Sequence, residues 1–268
     1  PDDGQITPKL LEDLRQTVGV VMGLKNIFIQ LFNQLSLSGI GDQVANWPIQ
    51  TQQLYQRFKE CDVGVERFSD TFVFSSLILN SKKDASVIPL YRILSTCCVA
   101  MITTLSSGTL VRGAVSIGAG AVLEDDSFYG PALAETHHLE SEIAGYPRVV
   151  VSDSVQEFLA AGQVYSKDPE IAKLMDDMAA KCRSLICEDV DGCLIVDFLG
   201  EGVRSLITAD TLTVPAIRRG YEFVQAEAVR FRSKGNSKLA LRYHLLEQYI
   251  ETRLPLWSTE KSEEDAHD

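Results

Sequence analysis

The chain has 268 residues, of which 45% are hydrophobic and 23% are charged. That length allows a full hydrophobic core, either in one elaborated domain or in a domain with an appendage. Acidic residues outnumber basic ones by 37 to 25, and the formal net charge is −12. This charge disfavours a role that depends on broad attraction to nucleic acid or to an anionic membrane, so we expect neither as a partner. A small anionic substrate is compatible with it if a metal ion or a few cations neutralise the substrate locally.

The cysteine pattern and the N-terminus both predict a cytoplasmic protein. The six cysteines include no CxxC pair, which is typical of a reducing compartment. No charged leader with an apolar core and a cleavage site is recognisable. The uncharged run 93–111 is long enough to raise the question of a membrane span, but Ser, Thr and Gly interrupt it. It therefore predicts a buried helix that runs into a strand.

The first half of the chain predicts alternating helices and strands. Apolar residues recur every three or four positions over 7–35, which indicates an amphipathic helix. A loop, a short helix and two strands about a turn at Asn80–Asp84 follow, and then a helix over 86–105. A strand over 110–119, a helix over 130–144 and a strand over 148–152 complete a βαβ-like unit. This order predicts an α+β sandwich.

Beyond Ser154 the pattern changes to a helical run, a hairpin and two later helices. Asp191-Gly192 is a strong turn signal inside the hairpin segment. Asp189, Asp191 and Asp197 also suggest a calcium loop, but the segment is too short for an EF-hand, so a hairpin is favoured. We therefore predict a first domain over 1–154, an extension packed on it over 155–258, and a disordered, solvated tail over 259–268.

One carboxylate, Asp70, interrupts an otherwise apolar extended run in the segment ERFSDTFVFSS. The run predicts one strand, in which alternation places Phe68, Phe72 and Phe74 on the same face as Asp70. An ionised carboxylate among aromatic side chains is costly unless a cation meets it. The segment predicts either a metal ligand or an acid paired with an arginine, and the spacing alone does not separate the two.

Three segments in this order, RFSDTFVFSS, LVRGAVSIGAG and YGPALAETHHLE with YPRVVVSD, resemble the class III nucleotidyl cyclase domain. They are most similar to the bacterial branch that contains the pyrimidine cyclases of Pycsar anti-phage defence, in which RFSD replaces the commoner IGD. The resemblance covers about Phe28 to Leu199. It implies a ferredoxin-type sandwich, in which helices flank an antiparallel-rich sheet, with a C-terminal extension of helices and a hairpin.

The resemblance also implies a metal site. In the family, two carboxylates hold two Mg²⁺ or Mn²⁺ ions against the triphosphate. Asp70 matches one of these carboxylates. The other lies in a pattern like FxDILGF at the end of the first strand, and this chain does not contain that pattern. Either that strand lies upstream of Pro1 or the protein lacks one metal ligand.

Two positions implied by the resemblance select the base. Glu66, four residues before Asp70, stands where adenylate cyclases place Lys and guanylate cyclases Glu. A carboxylate accepts from an exocyclic amine or a ring N–H, which argues against an adenine site built around a Lys donor. Guanine or cytosine suits it better, and a surface charge at the start of the strand is the alternative. Ser127, three residues before Gly130, matches the second position. Arg67 is likewise predicted to bind substrate.

The helix after Gly130 carries, in the family, an Asn and an Arg that stabilise the ribose and the transition state. In this chain the corresponding residues are Ala134 and His138, and both are departures. His138 is predicted to share a helix face with Glu135, at i−3, and Glu142, at i+4, and its imidazolium is the candidate replacement for the Arg. Glu135 is also predicted to contribute to substrate binding. A solvated helix face is the alternative.

Arg112 and Arg148 are further catalytic candidates. Arg112 lies on the first strand of the βαβ-like unit and Arg148 opens the second. Each arginine either contacts phosphate or pairs with nearby acids. The glycines of this region do not have Rossmann spacing and indicate close approach of backbone or ligand: Gly113, Gly118 and Gly120.

Together these features predict a cytoplasmic pyrimidine nucleotide cyclase that uses UTP or CTP and releases a 3′,5′-cyclic nucleotide and pyrophosphate. The resemblance implies a head-to-tail homodimer whose subunits share each active site, and a role in anti-phage signalling. A purine cyclase is the nearest alternative among enzymes. A catalytically silent cyclase-homology domain, which regulates or dimerises, is the alternative from another class.

Overall fold

The computed structural model describes residues 19, 22–33, 44–59, 63–68, 71–79, 85–123, 128–160, 167–207 and 213–258. The chain has a mixed α and β fold, as the sequence predicts. It divides into two compact units that interleave along the sequence. Unit 1 comprises Pro1–Thr96, Gly120–Gly130 and Gly162–Ala179, and unit 2 comprises Cys97–Ala119, Pro131–Ala161 and Ala180–Asp268. The predicted boundary at residue 154 stays a prediction, and the predicted tail over 259–268 lies outside the described residues.

The described helices and strands are numbered in chain order. The helices are α1 (22–33), α2 (Ile49–Lys59), α3 (Ile88–Ser106), α4 (Pro131–His138), α5 (Asp153–Ala160), α6 (Pro169–Ser184), α7 (Glu201–Leu206), α8 (Thr213–Ser233) and α9 (Ser237–Arg253). A π-helical turn, Leu139–Ile143, continues α4, and a 3-10 turn, Leu254–Trp257, follows α9. The strands are β1 (Gly64–Phe68), β2 (Thr71–Ser75), β3 (Gly113–Val115), β4 (Ala121–Val122), β5 (Phe128–Tyr129), β6 (Val149–Val151), β7 (Ile186–Glu188) and β8 (Leu194–Val196).

Helix α3 confirms the helix predicted over 86–105. The Ser86 hydroxyl accepts a hydrogen bond from the Ile88 N–H at 3.3 Å, and Pro89 lies in the first turn, where its missing N–H costs nothing. By length and composition, α3 is the one helix among the described residues that is apolar enough to cross a membrane. Because 72% of its apolar window is buried, it has the character of a core helix.

Unit 1 contains two small antiparallel hairpins, β1–β2 and β4–β5. Its buried core draws mainly on α3 and α6. The largest of these side chains that are fully buried are Phe32, Ile88, Leu94, Ile171, Met175 and Met178. Leu79 and Ala85 form an antiparallel bridge about the predicted turn over 80–84, and the turn itself lies outside the described residues.

Unit 2 is built around a four-stranded sheet of order β3-β6-β8-β7. Strands β3 and β6 are parallel and α4 lies between them in sequence, which confirms the predicted βαβ unit. The strand predicted over 110–119 was too long, because only Gly113–Val115 pairs with β6. Strands β7 and β8 form the predicted hairpin, with Gly192 at φ +82°, a conformation that favours glycine.

Helices α8 and α9 form an antiparallel pair that packs on the same unit. A Cβ atom at Gly220 in α8 would lie 2.5 Å from Leu105 Cγ, so only glycine allows this approach to the end of α3. The C-terminal end of α9 is held by Asp197, which follows β8. The Asp197 carboxylate accepts from the Tyr249 hydroxyl at 2.9 Å and from Arg253 Nε at 2.9 Å.

Candidate functional site

Asp70, the predicted metal ligand, lies outside the described residues, and so does Ser127. In sequence, Asp70 falls between Phe68, the last residue of β1, and Thr71, the first residue of β2. These strands pair with each other in antiparallel register, with Phe68 opposite Thr71. The prediction of one continuous strand through residue 70 is therefore wrong, because the chain reverses direction between β1 and β2.

The pattern misled because alternating apolar residues look the same in one long strand and in two short strands of a hairpin. The segment RFSDTF also lacks the Asn-Gly or Asp-Gly pair that usually marks a two-residue turn. In the structure Phe72 lies opposite Arg67, and the Phe74 ring stacks on Phe28 with a centroid distance of 3.7 Å. The aromatic side chains of β2 thus pack within unit 1.

Glu66 is bonded to the first residue of β5. Its carboxylate accepts a hydrogen bond from the backbone N–H of Phe128, the residue after Ser127. A Cβ atom at Gly120 would lie 2.2 Å from Phe128 Cζ, so a larger residue just before β4 would force this ring to move. The hydrogen bond joins two segments that are 62 residues apart in sequence. It fixes Glu66 as a half-buried, bonded side chain.

Arg67 is the neighbouring substrate candidate. It is exposed, and its Nη1 donates to the Met22 thioether at 3.8 Å. Because β-strand side chains alternate between faces, Arg67 and Glu66 project to opposite sides of β1. The two side chains cannot both face one ligand on the same side of the hairpin.

In unit 2, hydroxyl side chains gather where the parallel strands β3 and β6 end. The Ser116 hydroxyl lies 2.6 Å from the Thr136 hydroxyl and donates to the Ala132 carbonyl at 3.0 Å. The Ser152 hydroxyl donates to the Glu135 carboxylate and lies 2.9 Å from the Ser154 hydroxyl. Of these residues, only Glu135 was predicted from the sequence. The signal was a small hydroxyl residue directly after each parallel strand.

His138 does not pair with the acids predicted to share its helix face. The Glu135 carboxylate is bonded to Ser152 instead. The π-helical turn that begins at Leu139 has more residues per turn than an α-helix, so Glu142 leaves the i+4 position. His138 is an exposed residue at the end of α4. Exposure of His138 fits the solvated alternative, and the roles predicted for His138 and Glu135 at a substrate stay predictions.

Arg112 keeps free donor capacity. Its Nε lies 2.5 Å from the Glu140 carboxylate in the π-helical turn, and its side chain is 38% exposed. Within the described residues, Glu140 is the acid with which it forms an ion pair. The remaining N–H groups of a planar guanidinium can still meet an anion from solvent.

Arg148 is paired with acids. Of the two roles predicted for it, contact with phosphate or pairing with nearby acids, the structure has the second. Its five N–H groups meet the carbonyls of Ala144 and Ile143 and the carboxylates of Asp189 and Asp191. Burial opposes the positive charge, but the hydrogen bonds to Asp191 and Asp189 outweigh it and raise the pKa of Arg148. No donor is left for phosphate, so the prediction of a catalytic Arg148 is not supported by this geometry.

The same cluster decides the calcium alternative for the β7–β8 hairpin. The hydrogen bond from Arg148 holds the pKa of Asp191 down at about 2. The Tyr146 hydroxyl donates to the Asp189 carboxylate at 2.6 Å, and burial followed by this bond raises the pKa of Tyr146. Both carboxylates already accept hydrogen bonds from protein donors, whereas a calcium loop directs its carboxylate oxygens at the ion. The segment is therefore a hairpin.

Of the two carboxylates that the resemblance implies as metal ligands, this chain offers one. Among the described residues no three His, Cys, Asp or Glu side chains are grouped as metal ligands. Asp70 offers the hard oxygen that Mg²⁺ and Mn²⁺ prefer, but it is one donor of the two required. Burial raises the pKa of Cys97 and of Cys187 to about 12, so these two described thiols are not activated as thiolates.

Comparisons with protein-family models, with curated proteins and with solved structures find no match for this chain. The assignment of function therefore depends on the residues and contacts described above.

Proposed function

We propose that the chain is a nucleotide cyclase of the class III type, which converts UTP or CTP to a 3′,5′-cyclic nucleotide and pyrophosphate. The observation that carries the proposal is the hydrogen bond from the Phe128 N–H to the Glu66 carboxylate. The two positions assigned to base selection lie at residue 66 and directly before residue 128. Contact between these segments is what a shared base pocket requires, and composition or periodicity would not produce it.

Glu66 supplies the chemistry for the base. A carboxylate can only accept hydrogen bonds when ionised, so it favours a base edge with an amine or a ring N–H. Cytosine offers an exocyclic amine and uracil a ring N–H. The backbone bond to Phe128 holds this acceptor in one orientation, which limits the conformational entropy lost when a base binds.

Arg112 and Asp70 supply the chemistry for the triphosphate. Arg112 is partly exposed and has N–H groups beyond the one used by Glu140, so it can neutralise a phosphate oxygen. Asp70 is the residue that would hold Mg²⁺ or Mn²⁺. When bound, such an ion lowers the pKa of the ribose 3′-hydroxyl and stabilises the departing pyrophosphate. A cytoplasmic homodimer with shared active sites completes the proposal and rests on the resemblance.

A catalytically silent cyclase-homology domain is the second candidate, and one observation favours it. Arg148, one of the residues expected to act on the phosphates, does not have the geometry to do so, because its five N–H groups are all occupied within the protein. A protein of this kind would keep the fold and the dimer without turnover.

The deciding experiment incubates the purified protein with ATP, GTP, CTP and UTP separately, with Mn²⁺, and identifies products by mass spectrometry. A cyclic monophosphate from CTP or UTP supports the proposal, and one from GTP or ATP replaces it with a purine cyclase. Asp70→Asn should abolish the product, while Asp177→Asn, an exposed acid on α6, should not. No product from any nucleotide, in a folded dimer, favours the silent domain.

A further inference from the structure

The connection between α8 and α9 concentrates positive charge in an acidic protein. Residues 228–244 contain no acidic residue and five basic ones. These are Arg230, Arg232, Lys234, Lys238 and Arg242, which we call the basic tip. The whole chain carries a net charge of −12, so the tip is opposite in sign to the rest of the protein.

The tip is held by a defined turn. Gly235 has φ +69°, and the Asn236 side chain accepts a hydrogen bond from the Leu239 N–H at 3.1 Å, which caps α9. Residues 232–238 are all exposed. The hydrogen bonds, ion pairs and ring contacts of residues 229–244 stay within the two helices wherever the chain is described. The cations are therefore presented to solvent on fixed helix ends.

The cations of the tip are mostly uncompensated. Arg230 pairs with Glu227 at 2.5 Å, and in the described part of the chain no ion pair involves the other four. The next acid along α8 is Glu222, about 15 Å from Arg232 at the helical rise. That distance exceeds the screening length of about 8 Å at physiological ionic strength. On α9, Glu247 shares a groove with Arg232 and Val229 and lies 3.5 Å from His244. Two acids, Glu227 and Glu247, therefore face the five cations of the tip, which keeps a net positive charge.

Two apolar side chains accompany this charge. Val229 is 63% exposed and Leu241 is 57% exposed. A groove of about 310 Å³ runs beside the turn, with Leu241, Ala240, Arg232 and His244 among its lining residues. The aromatic side chains of the segment are already occupied, because Phe231 and Tyr243 stack on each other at 5.4 Å.

We propose that the basic tip is a docking surface for an anionic lipid membrane. Clusters of four to eight Lys and Arg residues bind anionic headgroups additively, without shape complementarity, and exposed Val229 and Leu241 can enter the acyl boundary. Nucleic acid is less suited, since it would use the cations but not the apolar side chains, and no aromatic ring of the tip is free to stack on a base. A protein partner needs roughly 20 to 30 residues on each side, far more than the tip offers.

The proposal departs from the sequence expectation that no membrane takes part. That expectation rests on the net charge of the whole chain, whereas screening makes only the local charge relevant at a small contact. Membrane docking by the basic tip is independent of the proposed cyclase activity, because no residue of the tip belongs to the candidate site.

The test is co-sedimentation of the full chain with vesicles of phosphatidylcholine alone or with about one third phosphatidylglycerol. The tip variant is Arg232→Glu with Lys238→Glu. The control is Arg218→Glu with Arg219→Glu, two exposed residues at the start of α8 that give the same change in net charge. Circular dichroism checks that both variants are folded, and Leu241→Ser tests the apolar contribution without a change in charge.

We expect the wild type to bind the anionic vesicles and not the neutral ones. The tip variant should bind the anionic vesicles at least about tenfold more weakly than the wild type, and the control variant should bind them as tightly as the wild type. Binding of the wild type should fall when salt is raised from about 0.1 M to about 1 M. At low salt, Leu241→Ser should bind the anionic vesicles more weakly than the wild type. Absence of vesicle binding, equal binding to neutral vesicles, or an equal loss in the control overturns the proposal. Tip-dependent binding of labelled single-stranded DNA or of polyglutamate without vesicle binding also overturns it, and assigns the tip to nucleic acid or to an acidic protein.

Discussion

The guanidinium of Arg148 and the carboxylate of Asp189 form an ion pair in which both side chains are almost fully buried, at 4% and 6% exposed. Two charges taken out of water are tolerated only while each has its partner. The pair links the start of β6 to the β7–β8 hairpin, 41 residues later. The pair is a structural link within unit 2. Arg148 therefore has a structural role, whereas Arg112 still has N–H groups that can bind an anion.

Replacement of Arg148 by Met should lower the free energy of unfolding by about 3–5 kcal/mol, because Asp189 would remain buried without a counter-charge. Arg112→Met is the matched control. Its ion pair with Glu140 is partly exposed, so the loss should be at most about 1 kcal/mol. Urea denaturation followed by circular dichroism measures both values. Equal stability of the two variants would show that the buried pair is not needed.

Arg112→Met should instead lower turnover. If the guanidinium neutralises a phosphate oxygen in the transition state, kcat/KM falls by about 100-fold or more, while stability changes little. Arg112→Lys keeps the charge but loses the planar fork, so it should restore only part of the activity. A product assay on the folded variants gives kcat/KM. Full activity in Arg112→Met would leave the arginine with its structural pairing to Glu140 alone.

The Asp191–Arg148 contact predicts a pH dependence of stability. The folded-state pKa of Asp191 is lowered from 3.8 to about 2. A depressed pKa adds stability above the unfolded value, and that stability is lost as pH falls from about 4 through about 2. Asp191 is 47% exposed, so the contribution is limited by solvent to about 1 kcal/mol.

Denaturation of the wild type and of Asp191→Asn at a series of pH values tests this sign. The wild type should be the more stable protein at about pH 7, and the difference should shrink toward zero near pH 2. A difference that grew on acidification would contradict the assigned ion pair.

Glu66 should affect both stability and base preference. Glu66→Ala leaves the Phe128 N–H without its acceptor and should cost about 1 kcal/mol, whereas Glu66→Gln keeps an acceptor oxygen and should cost less. Glu66→Lys replaces an acceptor by a donor, so relative kcat/KM should shift by about tenfold or more toward bases that accept. Glu170→Lys, an exposed acid on α6, is the charge control. An unchanged preference in Glu66→Lys would remove Glu66 from the base site.

Gly202 tests the packing of α7. A Cβ atom at this position would lie 2.2 Å from the backbone oxygen of Ser184. Since a backbone atom cannot swing aside, Gly202→Ala should lower the free energy of unfolding by about 1–3 kcal/mol. Gly23 is also helical and has nothing within 4 Å, so Gly23→Ala should raise stability by as much as about 1 kcal/mol. Thermal or urea denaturation compares the two variants.

Much of the secondary structure of unit 2 could be predicted from local signals. The apolar run over α3, the Asp191-Gly192 turn and the order β3–α4–β6 each follow from residues close together in the chain. The reversal between β1 and β2 was not predicted in this way, because RFSDTF lacks the Asn-Gly or Asp-Gly pair that usually marks a two-residue hairpin turn. The π-helical turn after His138 was also hidden, since no local pattern distinguishes it from a continued α-helix.

The sequence by itself determined the α and β composition, the candidate residues and the resemblance that connects them. Only the tertiary structure decided which of these candidate residues already use their hydrogen-bonding groups on other parts of the protein. It gave the five donors of Arg148 to Ile143, Ala144, Asp189 and Asp191, and it left Arg112 with one ion pair. The physical reason is that hydrogen-bond partners are set by distance in space, whereas a sequence pattern records only distance along the chain.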